Sequence, residues 1–560
     1  MPRFSPPAAL LLCCLLPVAA SAQQADIDRA IRDSQRLLLE EQQRQARERE
    51  ELDRRRPRSE GADLQPEPAR PAADGGCFTI RSVQLDGATL LDEADRARLT
   101  AAGIGDCISL AQINAVMQAL TNHYVVRGYT TTRVYLPEQD LGSGTLKLLV
   151  LEGLIEQFRL EGEGVHLGSA FPGLTGRVFN LRDIEQGLDQ INRLRSNSAT
   201  MDIEPGGVAG ASTIVVRNRP RKRWSVNMAV DNTGSQSTGR ELASAALAID
   251  SPLGLNDFLN LSGRINTDAD HDDRLSQSVS MLYSIPWGYW TFTGTASEFD
   301  YASQVRGAVT TFNTSGTSTT YALRADRVLF RDRDSKLSAF GNLAFKDARN
   351  ALNGTPIAAS SRQLTTLDLG LSATTVAGGL LLSGDIAWVR GLDAFGALKD
   401  APGQDSDAPR AQFDKIVLNA SVSASLPVGR QTLSLSSSLS AQRATDTLYG
   451  TEQFFIGGPF SVRGFRRYSI AGDSGWWLRN EAALPLQFGD TRLRPFVGWD
   501  IGHIRADAVG EGGTLAGVTV GLGLNHGPLA AQLALSAPTV LPSRLGRHDS
   551  YAHFRVSVDF

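Results

Sequence analysis

Few side chains in this sequence are spaced for chemistry, and each small group can be weighed on its own. Cys77 and Cys107 are the only cysteines left once the apolar leader that carries Cys13 and Cys14 is set aside. In an exported chain such an isolated pair is most simply a disulfide. A thiolate metal site would need further ligands, and no histidine lies between the two cysteines. Closing a loop of about 30 residues stabilises a domain by roughly 3–4 kcal/mol in the chain-entropy model. The run Asp268-Ala269-Asp270-His271-Asp272-Asp273 offers oxygen donors, but its spacing fits no standard calcium loop, and a solvated acidic tip is the commoner case. Glu138 and Asp140 flank Gln139 with no basic or nucleophilic partner nearby, so they do not form an acid–base pair. Gly521-Leu522-Gly523 sits in an alternating strand, not in the strand-to-helix turn that cradles a nucleotide. No phosphate-loop or zinc-protease motif is found. The expectation is a chain with no catalytic residues, no metal, no cofactor and no nucleotide.

The elements that carry these residues explain why. Met1 to Ala22 reads as a signal peptide: Arg3 is the positive end, Ala8 to Ala20 the apolar stretch, and Ala20-Ser21-Ala22 the cleavage site. The stretch is too short for a membrane helix, which needs about 20 apolar residues. With 56 basic against 60 acidic residues the net charge is -4, which argues against nucleic acid as a partner. Mean hydropathy is -0.16. A low value does not exclude a membrane, because transmembrane strands need only alternate apolar positions over about 9–11 residues.

That alternation fills the C-terminal part of the chain. Trp224, Val226, Met228 and Val230 alternate with Ser225, Asn227, Ala229 and Asp231. Phe554, Val556, Val558 and Phe560 alternate with Arg555, Ser557 and Asp559. A period of two gives every strand one greasy and one wet face. Short turns such as Pro286-Trp287-Gly288 and Gly527-Pro528 alternate with long loops, among them 301–319, 346–362, 391–412 and 443–475. Short turns on one rim and long loops on the other suit an outer-membrane barrel of about sixteen strands.

Ahead of the barrel, Asp26 to Arg56 is rich in Gln, Glu and Arg and lacks Gly and Pro, so it favours a helix with a thin apolar stripe. Such a helix is either an exposed arm or the occupant of a polar pore. A Pro-rich linker over 57–76 follows. Residues 77–153 and 154–219 then show the order strand, helix, helix, strand, strand, twice. In the first unit Phe78 to Leu85 is expected as one strand, and Ser109 caps the longer helix. Asn180 caps the matching helix of the second unit. Each unit leaves a sheet edge able to pair with an extended chain.

With these residues in view the chain resembles the transporters of two-partner secretion, a branch of the Omp85 superfamily. The likeness is carried by Cys77-Phe-Thr-Ile, Cys107, Arg127-Gly128-Tyr129-Thr130, Tyr135-Leu-Pro137-Glu-Gln139-Asp140-Leu141 and Leu151-Glu152-Gly153. These match the family's first POTRA (polypeptide-transport-associated) domain, and Asp202-Ile-Glu-Pro-Gly206 matches the end of the second. In the barrel, Asp231-Asn232, Glu452-Gln-Phe-Phe-Ile-Gly-Gly458 and Val462-Arg463-Gly464-Phe465 fit. The resemblance implies a transmembrane β-barrel of residues 220–560, preceded by two α+β POTRA domains and a plug helix within 23–56. It also implies that the loop bearing Arg463 folds back into the lumen to meet an inward-facing acid. Parity nominates Asp500: Val497, Trp499 and Ile501 share one face, while Phe496, Gly498, Asp500 and Gly502 share the other. The terminal Phe560 would serve as the signal read by the barrel assembly machinery.

The expected function is export, across the outer membrane and without ATP, of one large exoprotein of adhesin or haemolysin type. Its N-terminal secretion domain would be received by the POTRA pair. A rival is a factor that inserts other barrels into the membrane, which would carry more POTRA units and no polar N-terminal helix. A passive porin would have no use for the small domains.

Overall fold

The computed structural model describes residues 35–45, 76–268, 273–306, 311–358, 360–466, 469–506, 512–546 and 550–560. The expected leader, nearly all of the linker and most of the acidic tip 268–273 lie outside them.

The period-two segments close on themselves. From Trp224–Asp231 to Tyr551–Asp559, neighbouring strands pair antiparallel in chain order, and the last pairs with the first, giving a closed barrel of 16 strands. Leu486–Phe488 continues the strand Gly475–Ala483, and Thr355–Pro356 is a short hairpin on Ser335–Leu352. Apolar side chains such as Val279, Leu323, Val497 and Leu533 stand outside the wall and are exposed, as a lipid-facing belt requires. The opposite parity lines the lumen with polar ladders. Asn342 donates to Asp368 at 2.9 Å, Asn419 to Asp385 at 3.1 Å, and Ser440 to Asn419 at 2.9 Å.

Two of the long loops prove shorter than expected. Strands Trp290–Arg306 and Thr311–Arg331 stay paired out to Arg306 and Thr311, and Ser335–Leu352 runs well into the stretch read as loop 346–362. Ser and Thr keep the alternation going beyond the apolar belt. Ser303 and Thr314 hydroxyls lie 2.8 Å apart, and Thr317 donates to Asp300 at 2.6 Å, so polar pairs replace lipid as the reason to stay extended.

Each small domain packs helices on a three-stranded sheet. In the first, Thr145–Leu151 lies between a parallel neighbour, Ser82–Asp86, and an antiparallel one, Arg133–Tyr135. Helix Leu110–Val126 starts with a capping box between Ser109 and Gln112. It buries Ile113, Val116, Leu120 and Tyr124 against Leu146, Leu148 and Val150. In the second, Ala211–Asn218 is central and helix Leu181–Asn192 buries Ile184 and Ile191. The single strand expected over Phe78 to Leu85 is two. The backbone N–H groups of Arg81 and Ser82 both donate to the Gly144 carbonyl, which breaks the run. Cys77–Ile80 then pairs with Gly105–Ser109, a strand missed in the sequence, and Ser82–Asp86 joins the main sheet.

Residues 35–45 form a helix inside the barrel. Leu37 and Leu38 are buried against the wall residues Phe299, Tyr301 and Ala348, and Glu41 faces Arg264 at 3.4 Å.

Candidate functional site

The chain between strands Gln431–Ala444 and Gly475–Ala483 does not project away from the barrel but enters its lumen. Ile456, Val462, Phe465 and Ile470 bury themselves against wall residues Ile504 and Leu515. This apolar cluster sets Arg463 down on the same strand of the wall that carries Ile504. Arg463 Nε donates to Asp500 Oδ2 at 2.6 Å, and Nη2 donates to Asp500 Oδ1 at 2.7 Å. The backbone N–H of Arg463 reaches the same carboxylate at 3.0 Å. Arg463 is 2% exposed and Asp500 0%, so the pair is sealed from water and held by a two-pronged, charge-assisted contact.

Three glycines make room for it. A Cβ on Gly498 would collide with the guanidinium, and one on Gly517 would collide with the Arg463 carbonyl. Gly464 has φ +106° and lies against the backbone of Ala537 and Pro538, a conformation and an approach that only glycine tolerates well.

Glu481 was missed in the sequence. It accepts from Arg463 Nη1 at 2.9 Å and from Arg494 at 2.5 Å. Parity could have found it, since Arg479 and Glu481 share the inward face of their strand and Arg479 pairs directly with Asp500. The lumen face thus presents two acids to the loop arginine.

The POTRA motif residues shape joints. Gly128 has φ +97°, its carbonyl accepts from Leu181 N at 2.8 Å, and the Arg127 carbonyl accepts from Asn180 Nδ2 at 3.1 Å. The first small domain is thereby fastened to the capped start of the second domain's helix. Arg127 also pairs with Asp95 at 3.0 Å. Tyr129 packs edge-on to Tyr124, whose hydroxyl donates to Glu152 at 2.7 Å. Burial, with the Glu152 carboxylate beside it, pushes the Tyr124 phenol above its ordinary pKa. Gln139 exchanges two 2.7 Å bonds with the Lys147 backbone, extending the sheet with a side chain where strand Arg133–Tyr135 has ended. The Pro137 carbonyl accepts from Gln139 at 3.3 Å, Asp140 caps the turn Leu141–Ser143, and Leu141 packs on the core. Cys77 and Cys107 are disulfide-bonded, with Cα atoms 4.9 Å apart across the paired strands.

The second small domain is seated on the barrel's short turns. Gln186 and Gln190 donate to the Gly288 carbonyl at 3.2 and 3.0 Å, and Tyr289 donates to Asp183 at 2.6 Å. Arg193 donates to Ser284 Oγ at 2.5 Å and to the Asn256 carbonyl at 2.8 Å. Arg331 pairs with Asp189 at 2.8 Å and with Glu185 at 3.6 Å.

At the seam between the last strand and the first, Phe560 N–H donates to the Val226 carbonyl at 2.8 Å, while its ring is 59% exposed on the lipid side. Among the described residues no cluster of side chains is arranged to hold a metal ion.

A barrel entered by one of its own loops, with two POTRA domains in tandem and the second seated on the short-turn rim, defines an outer-membrane transporter. The model for haemolysin secretion/activation proteins ShlB/FhaC/HecB matches residues 210–524, and POTRA models match 78–153 and 154–205. Outer membrane transporter CdiB of Escherichia coli is 35% identical, with 98% of this chain and 93% of that protein aligned. Hemolysin transporter protein ShlB of Serratia marcescens is 34% identical over 86% of each. The solved structure of CdiB from Escherichia coli covers 94% of this chain and 99% of its own, at TM-score 0.85 and 33% identity. The chain belongs to the haemolysin secretion/activation family: it is a two-partner secretion transporter of the outer membrane, with its POTRA domains in the periplasm.

Proposed function

We propose that this transporter serves one large exoprotein of adhesin or haemolysin type, whose N-terminal secretion domain is received by the POTRA pair before the chain passes through the barrel. The observation that carries this reading is a lumen filled by two elements of the chain itself, helix 35–45 and the Arg463 loop, above two domains with unpaired sheet edges. Ser82–Asp86 and Thr200–Pro205 each pair on one side only among the described residues, so main-chain strand addition would capture an unfolded client with little demand on its sequence. Names such as hemolysin transporter among the relatives favour this client class. In this reading the Arg463–Asp500 contact fixes the loop, helix 35–45 is a removable plug, and Phe560 is read by the barrel assembly machinery. No nucleotide is used; folding of the client outside the cell supplies the direction.

Deleting the gene should remove a single exoprotein from the medium. Broad loss of outer-membrane proteins would instead favour the barrel-inserting rival. Deleting residues 35–45 should raise single-channel conductance in planar bilayers several-fold, because a helix about 10–12 Å across leaves a barrel wide enough for an aqueous channel. Unchanged conductance would remove the plug from this scheme.

A further inference from the structure

The Arg463 loop is braced a second time, at its outgoing limb and on a different part of the wall. Glu452 sits in the short turn Gly450–Glu452 and is 3% exposed. Its carboxylate accepts from Lys346 Nζ at 2.5 Å and from Lys415 Nζ at 3.0 Å. Its carbonyl accepts from Lys415 at 2.9 Å and from Gln442 Nε2 at 3.0 Å. Lys346 and Lys415 stand on strands Ser335–Leu352 and Asp414–Val428, which are separated by two other strands, so one carboxylate spans a broad arc of the lumen. Asp473 on the returning limb ties in as well, accepting from Leu448 N at 3.0 Å and from Gln453 Nε2 at 3.1 Å.

The other side of this braced segment carries helix 35–45. Gln35 lies so close to Gly450 that a Cβ there would come 2.6 Å from its side-chain carbon. Gln43 Nε2 donates to the Phe455 carbonyl at 2.8 Å, and the Arg44 guanidinium lies 5.4 Å from the Phe460 ring centroid. Gln35 and Gln43 are about 12 Å apart along a helix axis. The helix therefore runs along loop residues 450–460 as along a bed, and the bed is fastened to the wall through Glu452. Polar contacts of this kind give the helix little hold unless their backbone partners are held still, because ordering a mobile acceptor costs conformational entropy.

We propose that Glu452 is the positioning residue for the plug: its bridge to Lys346 and Lys415 keeps the loop segment in the place that retains helix 35–45 in the lumen. The role is separate from that of Arg463, which fastens the loop tip to the wall acids Asp500 and Glu481. It rests on the reading of helix 35–45 as a plug, and the test separates the two.

The experiment is planar-bilayer conductance of four purified proteins: the unmodified chain, Glu452→Gln, the deletion of 35–45, and the two changes combined. Glu452→Gln keeps the shape of the side chain and removes the charge that both lysines share. It is expected to raise the fraction of open events about tenfold, towards the level of the deletion. In the deletion background it should add nothing, because there is no plug left to release. A merely structural role would loosen the loop and raise conductance equally in both backgrounds, which would overturn the proposal. So would a Glu452→Gln channel that stays at the unmodified level while the deletion is open. A deletion with unmodified conductance would sink the plug reading and this inference together. Should Glu452→Gln fail to insert, Lys346→Gln removes the bridge from the wall side, and the same outcomes decide.

Discussion

Replacing Asp500 with alanine should cut export of the partner by at least about tenfold while the barrel still inserts, because removing one member of a buried ion pair costs about 3–5 kcal/mol. Arg463 is 2% exposed and delivers two side-chain bonds and one backbone bond to this single carboxylate. Without it, the guanidinium keeps only Glu481 and the Asn480 carbonyl, and Glu481 is already shared with Arg494. The loop tip then keeps its apolar packing on Ile504 and Leu515 but carries a buried guanidinium stripped of its main partner, which works against that packing. Arg463→Ala should be as severe, since it leaves the Asp500 carboxyl without its forked partner at 0% exposure. Arg463→Lys should rescue little, because an ammonium cannot make the forked contact. The readout is exoprotein in the medium, set against heat-modifiable mobility of the barrel. Full secretion by a correctly inserted Asp500→Ala protein would sink the idea that this pair fixes the loop.

The reach of sequence reasoning here follows from what is local and what is not. Strand parity depends on adjacent residues alone, so the same pattern that turns Val497 and Trp499 to lipid turns Phe496, Gly498 and Asp500 inward. Nothing local says that residue 463 comes to residue 500; that expectation came from the resemblance. Strand ends were less legible. Ser and Thr serve equally in a loop and in a paired hairpin above the membrane, so 301–319 read as loop although most of it is strand. The brace at Glu452 was not legible at all, because Lys346 is 106 and Lys415 37 positions away, and only closure of the barrel brings all three together. Glu481 was within reach by parity and was overlooked.

Arg331→Ala should release the membrane-proximal POTRA domain from the barrel, and the defect should depend on pH in a defined sense. Arg331 is the barrel arginine that faces the acids of the second domain's helix, alongside hydrogen bonds from Gln186, Gln190, Arg193 and Tyr289, and its side chain is 5% exposed. It faces Asp189 and Glu185, both largely buried on helix Leu181–Asn192. Burial already pushes the Asp189 carboxyl above its ordinary pKa, and Arg331 is the strongest influence pulling it back. Removing the arginine leaves Glu185 paired with Arg182 at 2.9 Å but Asp189 facing the more distant Lys336 at 4.0 Å, and should weaken the joint by about 1–3 kcal/mol. A carboxyl whose pKa is higher when docked than when free favours docking at low pH and loses that contribution as pH rises through the docked value. The variant should therefore lose the joint at neutral pH and recover part of it in mild acid, where Asp189 takes up a proton. Hydrogen exchange of the backbone in Leu181–Asn192 reads this directly, with exoprotein release at neutral pH as the functional measure. Exchange that matches the unmodified protein at every pH would mean that the turn contacts alone hold the domain. The client would then be handed to the pore across a joint that charge does not govern.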